Sequence, residues 1–290
     1  MNAATSTSSL PAPVAILGPG YLGARVAERL CRPVIAVSRS GRWRDGVAPA
    51  HVRMHALDLC DPTLEPGPLT EARQLVLCVA PGRSQDRRAL YVEGTARLLE
   101  RLGAGALERI VWVGSTSALP STDAWLDERC TTAPQTERGQ VQRDAEQVVA
   151  EHGRAHGIPW LVLRMGGLYG PERSLSRIYR RRGADPLPGD GMAPTNLVHR
   201  DDAVAAIIAA LAAPPDRVGV VHVVDDEHTP RREMYARIAQ QQGWPPLTWA
   251  EAVSVPAVPR GKRVSNRRLK AWLGVRLVAP RHRLDDESSP

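Results

Sequence analysis

Near its amino end the chain reads Val14-Ala15-Ile16-Leu17-Gly18-Pro19-Gly20-Tyr21-Leu22-Gly23, an apolar run that breaks into a G-x-G-x-x-G pattern. In a strand–loop–helix frame the first glycine makes a tight turn. The second lets a pyrophosphate approach the backbone, and the third packs the helix on the strand. The phosphate then rests on the helix N-terminus, where Tyr21 and Leu22 also meet the ligand. The next apolar run ends in Val37-Ser38-Arg39-Ser40-Gly41-Arg42, and no acid occurs between Glu28 and Asp45. NAD sites put a carboxylate at this place for the ribose 2′-hydroxyl, whereas NADP sites use arginine on the 2′-phosphate. NADP(H) is therefore expected in preference to NAD(H), held by Arg39 with Ser38, Ser40 and Arg42. Asp58, in Leu57-Asp58-Leu59, either bonds the adenine amine or forms a turn. Ala80 and Pro81, after the fourth apolar run, complete the expected cofactor contacts.

These residues need a scaffold that brings chain segments far apart in sequence to one sheet edge. Short β-branched runs alternate with helix-period segments from residue 14 to about 225, which reads as an α/β fold: a Rossmann-type, doubly wound parallel sheet with helices on both faces. The expected strands are Val14–Gly18, Val34–Arg39, Val52–Asp58, Gln74–Ala80, Arg109–Ser115, Trp160–Met165 and Val220–Asp225. The expected helices are Leu22–Arg32, Arg87–Leu102, Gln140–His152 and Asp201–Ala213, each stopping before a glycine or proline, with a further helix over Arg231–Gln242. The alternation fails over Gly170–Asn196 and beyond Thr229. The domain reading is thus a loose tail (1–13), a cofactor-binding domain (14–169, completed by 197–226) and a small discontinuous second lobe (170–196 and 227–290).

Composition narrows the class. With 290 residues, 43% hydrophobic and 24% charged, the chain is too long and too ordinary for a disordered segment or a disulfide miniprotein. Its longest uncharged apolar stretch, Ala203–Pro215, is shorter than the roughly 20 residues of a spanning helix, so no membrane association is expected. Cys31, Cys60, Cys78 and Cys130 are scattered, without a Cys-x-x-Cys pair, and the first 13 residues lack Lys, Arg and an apolar stretch; both fit a cytoplasmic protein. The net charge of +7 comes from 36 arginines and two lysines, Lys262 and Lys270, spread along the chain. The densest runs, Arg173–Arg182 and Arg260–Arg268, accompany no nucleic-acid-binding motif and read as solvated faces. No metal site is expected, because Gly153 and Gly157 interrupt the His152-x-x-x-His156 spacing. His51 and His55 read as a polar strand face, Trp112 and Trp160 as core, and Trp125, Trp244 and Trp249 as lining for an apolar substrate pocket.

Several segments together resemble the extended and atypical short-chain dehydrogenase/reductases, the NAD(P)-dependent epimerase/dehydratase-like group. Beside the glycine loop, Ile110–Ser117 is similar to the strand that ends in that family's catalytic Ser/Thr. Leu163–Pro171 is similar to its R-x-x-x-x-Y-G-P segment, Asn196–Asp202 to its H-x-x-D stretch, and Val221–Asp226 to the strand before its last lobe. The resemblance implies a cofactor-dependent enzyme whose Thr116, flanked by Ser115 and Ser117, orients a substrate carbonyl; a Ser/Thr cluster also caps loops. The family's acid–base chemistry uses a Tyr with a Lys four residues on. Aligned back from Glu146, those positions fall on Arg138 and Gln142, and neither titrates usefully. A proton donor must then come from elsewhere, with Tyr169, His199, Asp123 and Asp127 as candidates by position, each with a structural alternative.

The reading is an NADP(H)-dependent oxidoreductase acting on a small-molecule C=O or C=N centre, with Thr116, Ser115 and Tyr169 at its reacting end. The alternatives are a non-catalytic NADP(H) sensor or partner-binding protein, and a nucleotide-sugar epimerase or dehydratase. The expected partners are a small-molecule substrate and, in a homodimer, a second copy, with no nucleic acid.

Overall fold

The computed structural model describes residues 12–44, 46–82, 84–180, 186–251, 259 and 261–278. Most of the tail, residues 1–11, lies outside them, as do parts of both arginine runs and of the second lobe. The chain forms strands β1 (Val14–Leu17), β2 (Val34–Ser38), β3 (Val52–Ala56), β4 (Gln74–Leu77), β5 (Arg109–Ser115) and β6 (Trp125–Leu126). It continues with β7 (Trp160–Met165), β8 (Gly167–Tyr169), β9 (Leu197–His199), β10 (Gly219–Val223) and β11 (Arg263–Val264). The helices are α1 (Gly23–Arg29), α2 (Thr95–Leu102), α3 (Glu137–His156), α4 (Leu175–Arg180), α5 (Arg200–Ala212), α6 (Arg231–Gln242) and α7 (Arg267–Leu273).

Seven strands make one parallel sheet in the order β10-β7-β5-β4-β1-β2-β3. Its strands are apolar on both faces because helices cover both. Side chains alternate between the faces with period two, so Val14 and Ile16 join one core while Ala15 and Leu17 join the other. The first core is closed by α1, α5 and α7 through Val26, Ile207 and Leu269, and the second by α2 and α3 through Leu98, Leu99, Ala145 and Val149. Each fully buried Val or Leu contributes about 1.5–3 kcal/mol. Strand order reverses between β4 and β1, so the connections leaving those two strands run to opposite sides and open a crevice at their carboxyl ends.

Several strands stop short of the expected ends, and local hydrogen bonds say why. At β2 the chain turns through Gly41 (φ +65°), with Gly41 N–H donating to the Ser38 carbonyl at 3.2 Å. After β3 the Asp58 carboxylate takes the Cys60 N–H at 2.9 Å, so Asp58 forms a turn. α3 departs furthest from expectation. It runs through Gly153 to His156 and ends at Gly157 in the left-handed region (φ +64°). Gly153 is there because the helix presses on β7: a Cβ would lie 2.2 Å from the Trp160 ring. The segment before α2 contains a π-turn, Ala89–Gly94, which closes where Gly94 meets the Leu59 carbonyl, 2.5 Å from where a Cβ would be.

Outside the large sheet, Tyr169, Leu175, Leu187, Met234, Tyr235 and Ile238 form a separate apolar cluster between α4 and α6. Two parallel strand pairs, β8 with β9 and β11 with β6, tie these segments to the sheet's carboxyl edge. Trp244 and Trp249 pack against that cluster, Trp249 stacked on Tyr235 at 6.2 Å, whereas Trp125 is 60% exposed. No described helix is long and apolar enough to cross a membrane.

Candidate cofactor and active site

The glycine loop follows β1 at the crevice, and its three glycines do different work. Gly18 has φ +86°, and a Cβ on it would lie 2.5 Å from the Cys78 carbonyl oxygen. A Cβ on Gly23 would lie 2.2 Å from the Gly18 carbonyl oxygen, so this glycine lets α1 close on the loop. Around Gly20 nothing comes within 4 Å of the same point, and that side of the loop is open. Tyr21 and Leu22 are buried behind the loop rather than in the cavity. The Arg173 guanidinium stacks on the Tyr21 ring at 4.2 Å; burial raises the Tyr21 phenol above its usual value, and Arg200 and Arg173 oppose that.

A cavity of about 400 Å³ opens from this loop across the ends of β2 and β4. It brings together Gly18, Gly20, Ser38, Arg39, Ser40, Arg42, Asp58 and Ala80, eight of the expected cofactor residues, while Pro81 lies outside its lining. The β2 turn is fixed by the Ser38 hydroxyl, which donates to the Arg42 carbonyl at 3.1 Å, and by the Ser40 hydroxyl, which accepts from Arg42 N–H at 3.3 Å. Arg39 reaches across to the loop after β4, where its Nη2 is 3.8 Å from the position of a Cβ on Gly82. Trp43, Arg44 and Gln85 also line the cavity, which sequence reasoning missed. Arg44 follows Arg42 by two residues and was legible as a third cation; Gln85, holding Gly82 N–H and the Cys60 thiol at 3.3 Å each, carried no signal. The lining thus has three arginines and a single carboxylate, Asp58.

At the end of β5 the Ser115 hydroxyl accepts from Ser117 N–H at 3.1 Å and caps a short turn. Thr116 is buried within that turn. Opposite, Thr136 caps α3 by accepting from Gly139 N–H at 3.1 Å, and Gly139 is required because a Cβ would lie 2.5 Å from the Ser117 carbonyl. Arg138 is exposed on the first turn of α3, and Gln142 is buried one turn on. None of the four expected proton-donor candidates lines the cavity. Tyr169 is buried edge-on against His199 at 5.3 Å, and His199 Nδ1 accepts from Asp201 N–H at 3.2 Å to cap α5. Asp127 is tied to Arg129, which holds its carboxyl below the usual value, and Asp123 accepts from Gly261 N–H at 3.0 Å. His51 Nε2 contacts the Ala27 carbonyl oxygen at 2.9 Å. No group of three or more His, Cys, Asp or Glu among the described residues could hold a metal ion.

Beneath the site runs a buried polar chain. Arg164, 1% exposed, donates from Nε and Nη2 to the two oxygens of Glu146 at 2.8 and 2.7 Å, pinning α3 to β7. Its Nη1 lies 3.5 Å from His222 Nε2. A guanidinium only donates, so His222 Nε2 accepts and the ring proton sits on Nδ1, 3.9 Å from Glu128. Burial first, and Arg164 second, push His222 down to about 3, so the folded chain keeps it neutral. Its depressed value makes the contribution of neutral His222 full above the ordinary histidine range near 6.5 and progressively lost as pH falls from there toward 3. In urea unfolding at a series of pH values, His222→Leu is expected to flatten the loss of stability below about pH 6.5, by up to about 1.4 kcal/mol per pH unit. Parallel pH profiles for the two proteins would refute that role.

The strand order, the switch point and the glycine loop at it define a Rossmann-type α/β protein of the dinucleotide-binding class. The sequence profile of the NAD dependent epimerase/dehydratase family matches residues 14–223, and the chain belongs to that family. Protein YeeZ of Escherichia coli K12 is 27% identical over 279 residues, covering 92% of this chain and 96% of the relative. A Streptomyces 3-diazoavenalumate denitrifying reductase is 33% identical over 179 residues, 58% of this chain and 57% of that one. Among solved structures, UDP-glucuronic acid 4-epimerase from Bacillus cereus in complex with NAD superposes with a TM-score of 0.77, at 16% identity over 92% of this chain and 94% of the epimerase, and shares the fold.

Proposed function

We propose that this protein is an NADP(H)-dependent oxidoreductase acting on a C=O or C=N centre of a small molecule. The observation that carries the reading is the lining of the cavity at the end of β2: Arg39 and Arg42 face it together with Arg44, which is also paired with Glu172, and its one carboxylate, Asp58, is engaged with the Cys60 N–H. Such a cluster matches a 2′-phosphate and leaves a ribose 2′-hydroxyl without the usual carboxylate. The open side of Gly20 leaves room for a pyrophosphate. When bound, the nicotinamide supplies or accepts a hydride. Thr116 orients the substrate, with Ser115 fixing the turn that presents it. Within the segments 170–196 and 227–290, the described residues form the lobe that covers the substrate. A relative named for reducing a diazo compound supports a nitrogen-containing acceptor beside a carbonyl.

Calorimetric titration with NADPH and NADH tests this reading. The expected result is at least a tenfold preference for NADPH, about 1.4 kcal/mol, that collapses in Arg39→Ala. Equal affinity for the two, or a preference that survives the substitution, would overturn the assignment of the 2′-phosphate site. A second reading, a nucleotide sensor without turnover, is favoured by α3 containing neither tyrosine nor lysine. Consumption of NADPH with a panel of aldehydes, ketones and imines rejects the sensor; a nucleotide-dependent change of assembly without consumption supports it.

A further inference from the structure

A reduction at a C=O centre needs a proton as well as a hydride; of the four donor candidates named from sequence, Asp123, Asp127 and His199 are held in loop and helix ties, and Tyr169 is packed edge-on against His199. Tyr91 is differently placed. It lies in the π-turn Ala89–Gly94, a helix irregularity that shifts the side chains around it and recurs at functional sites. The ring is 8% exposed and stands edge-on against Trp112 of β5, with centroids 5.7 Å apart and planes at 83°. Trp112 is three residues before Ser115, so the wall that holds Tyr91 also ends in the turn carrying Thr116.

The charged and polar groups that act on the Tyr91 phenol come from three elements: Arg87 from its own helical segment, Arg138 and Gln142 from the first two turns of α3, and Cys78 from the end of β4, beneath the glycine loop. Arg138 and Gln142 are the positions where sequence resemblance places a tyrosine and a lysine. The amide oxygen of Gln142 and the indole N–H of Trp112 are both buried and unpartnered, 3.4 and 3.0 Å from where a Cβ on Gly114 would lie. Buried polar groups left unpaired are costly, and a catalytic role is one reason a fold keeps them. Burial raises the Tyr91 phenol above its usual value, so it is protonated at neutral pH, while Arg87 and Arg138 favour the phenolate.

We propose that Tyr91 is the acid–base residue of this site, delivering a proton from its Oη to the oxygen of a substrate held at Thr116. This rests on the oxidoreductase reading above. As the carbonyl carbon accepts a hydride from the nicotinamide, the C=O π pair moves to oxygen. The Tyr91 O–H bond breaks, an O–H bond forms on the substrate, and the phenolate, held by Arg87 and Arg138, recovers a proton from water. In the oxidising direction each transfer reverses.

Tyr91→Phe keeps the ring on Trp112 and removes only the hydroxyl. The first readout needs no substrate: the chain has five tyrosines, and the ultraviolet tyrosinate titration of the wild type minus that of Tyr91→Phe isolates one. Saturating NADP+ is expected to move that difference titration down by about one pH unit, because a cationic ring close to a phenol favours its phenolate. Calorimetry should show NADPH affinity unchanged within about twofold in the variant, with turnover reduced about 100-fold. If NADP+ binds with measurable heat and the difference titration stays fixed, or if Tyr91→Phe turns over at the wild-type rate, the assignment of Tyr91 is wrong while the cofactor reading stands. If neither NADPH nor NADP+ binds, the oxidoreductase reading fails first and takes this one with it.

Discussion

Replacing Glu146 with alanine is expected to lower the unfolding free energy by about 3–5 kcal/mol, the usual cost of leaving one member of a buried ion pair without its partner. Glu146 and Arg164 face each other across the contact between α3 and β7, and both are almost wholly removed from water. Removing the carboxylate leaves the guanidinium near Arg143 and Lys262, which already repel it, with Glu128 lying beyond His222. Glu146→Gln keeps the shape and one acceptor without the charge, so its loss should be smaller. The double replacement Glu146→Leu with Arg164→Met removes both charges and should cost far less than the sum of its parts. Urea unfolding of the wild type, these three variants and the single replacements Glu146→Leu and Arg164→Met measures these differences. A Glu146→Ala variant within about 1 kcal/mol of wild type would show that water reaches the guanidinium in solution.

Gly18→Ala is expected to weaken NADPH binding by at least about 100-fold, or roughly 2.7 kcal/mol, and to destabilise the fold as well. The left-handed backbone at this position costs an L-residue about 1–2 kcal/mol. The added carbon also meets the Cys78 carbonyl at 2.5 Å, so β4 and the loop must part. Gly20→Ala separates the two effects. Its Cβ enters open space, so the melting temperature should hold while NADPH affinity falls, because the methyl group takes the room left for the pyrophosphate. Calorimetry and thermal melts on both variants decide the matter. A Gly20→Ala protein that binds NADPH normally would mean that the loop does not cradle phosphate.

The sequence by itself determined the layered plan. Val14-Ala15-Ile16-Leu17 is buried on both faces in a parallel sheet with helices on each side, and the alternation of such runs with helix-period segments marks the chain as a doubly wound α/β protein. It also picked out eight of the residues that line the cavity at the glycine loop, because that loop and the strand-end turn that follows use backbone geometry set by neighbours a few residues away. Local signals failed where a distant partner decided the outcome. Gly153 looked like a helix stop, yet it lies inside α3 because Trp160 needs the space its missing side chain leaves. The π-turn at Tyr91, the reach of Arg44 to Glu172, and the pairing of Glu146 with Arg164 join residues that no local pattern relates. Burial, charge pairing and the direction in which a phenol points are properties of packed surfaces. Only the tertiary structure could decide them, because each depends on which segments the sheet order brings side by side.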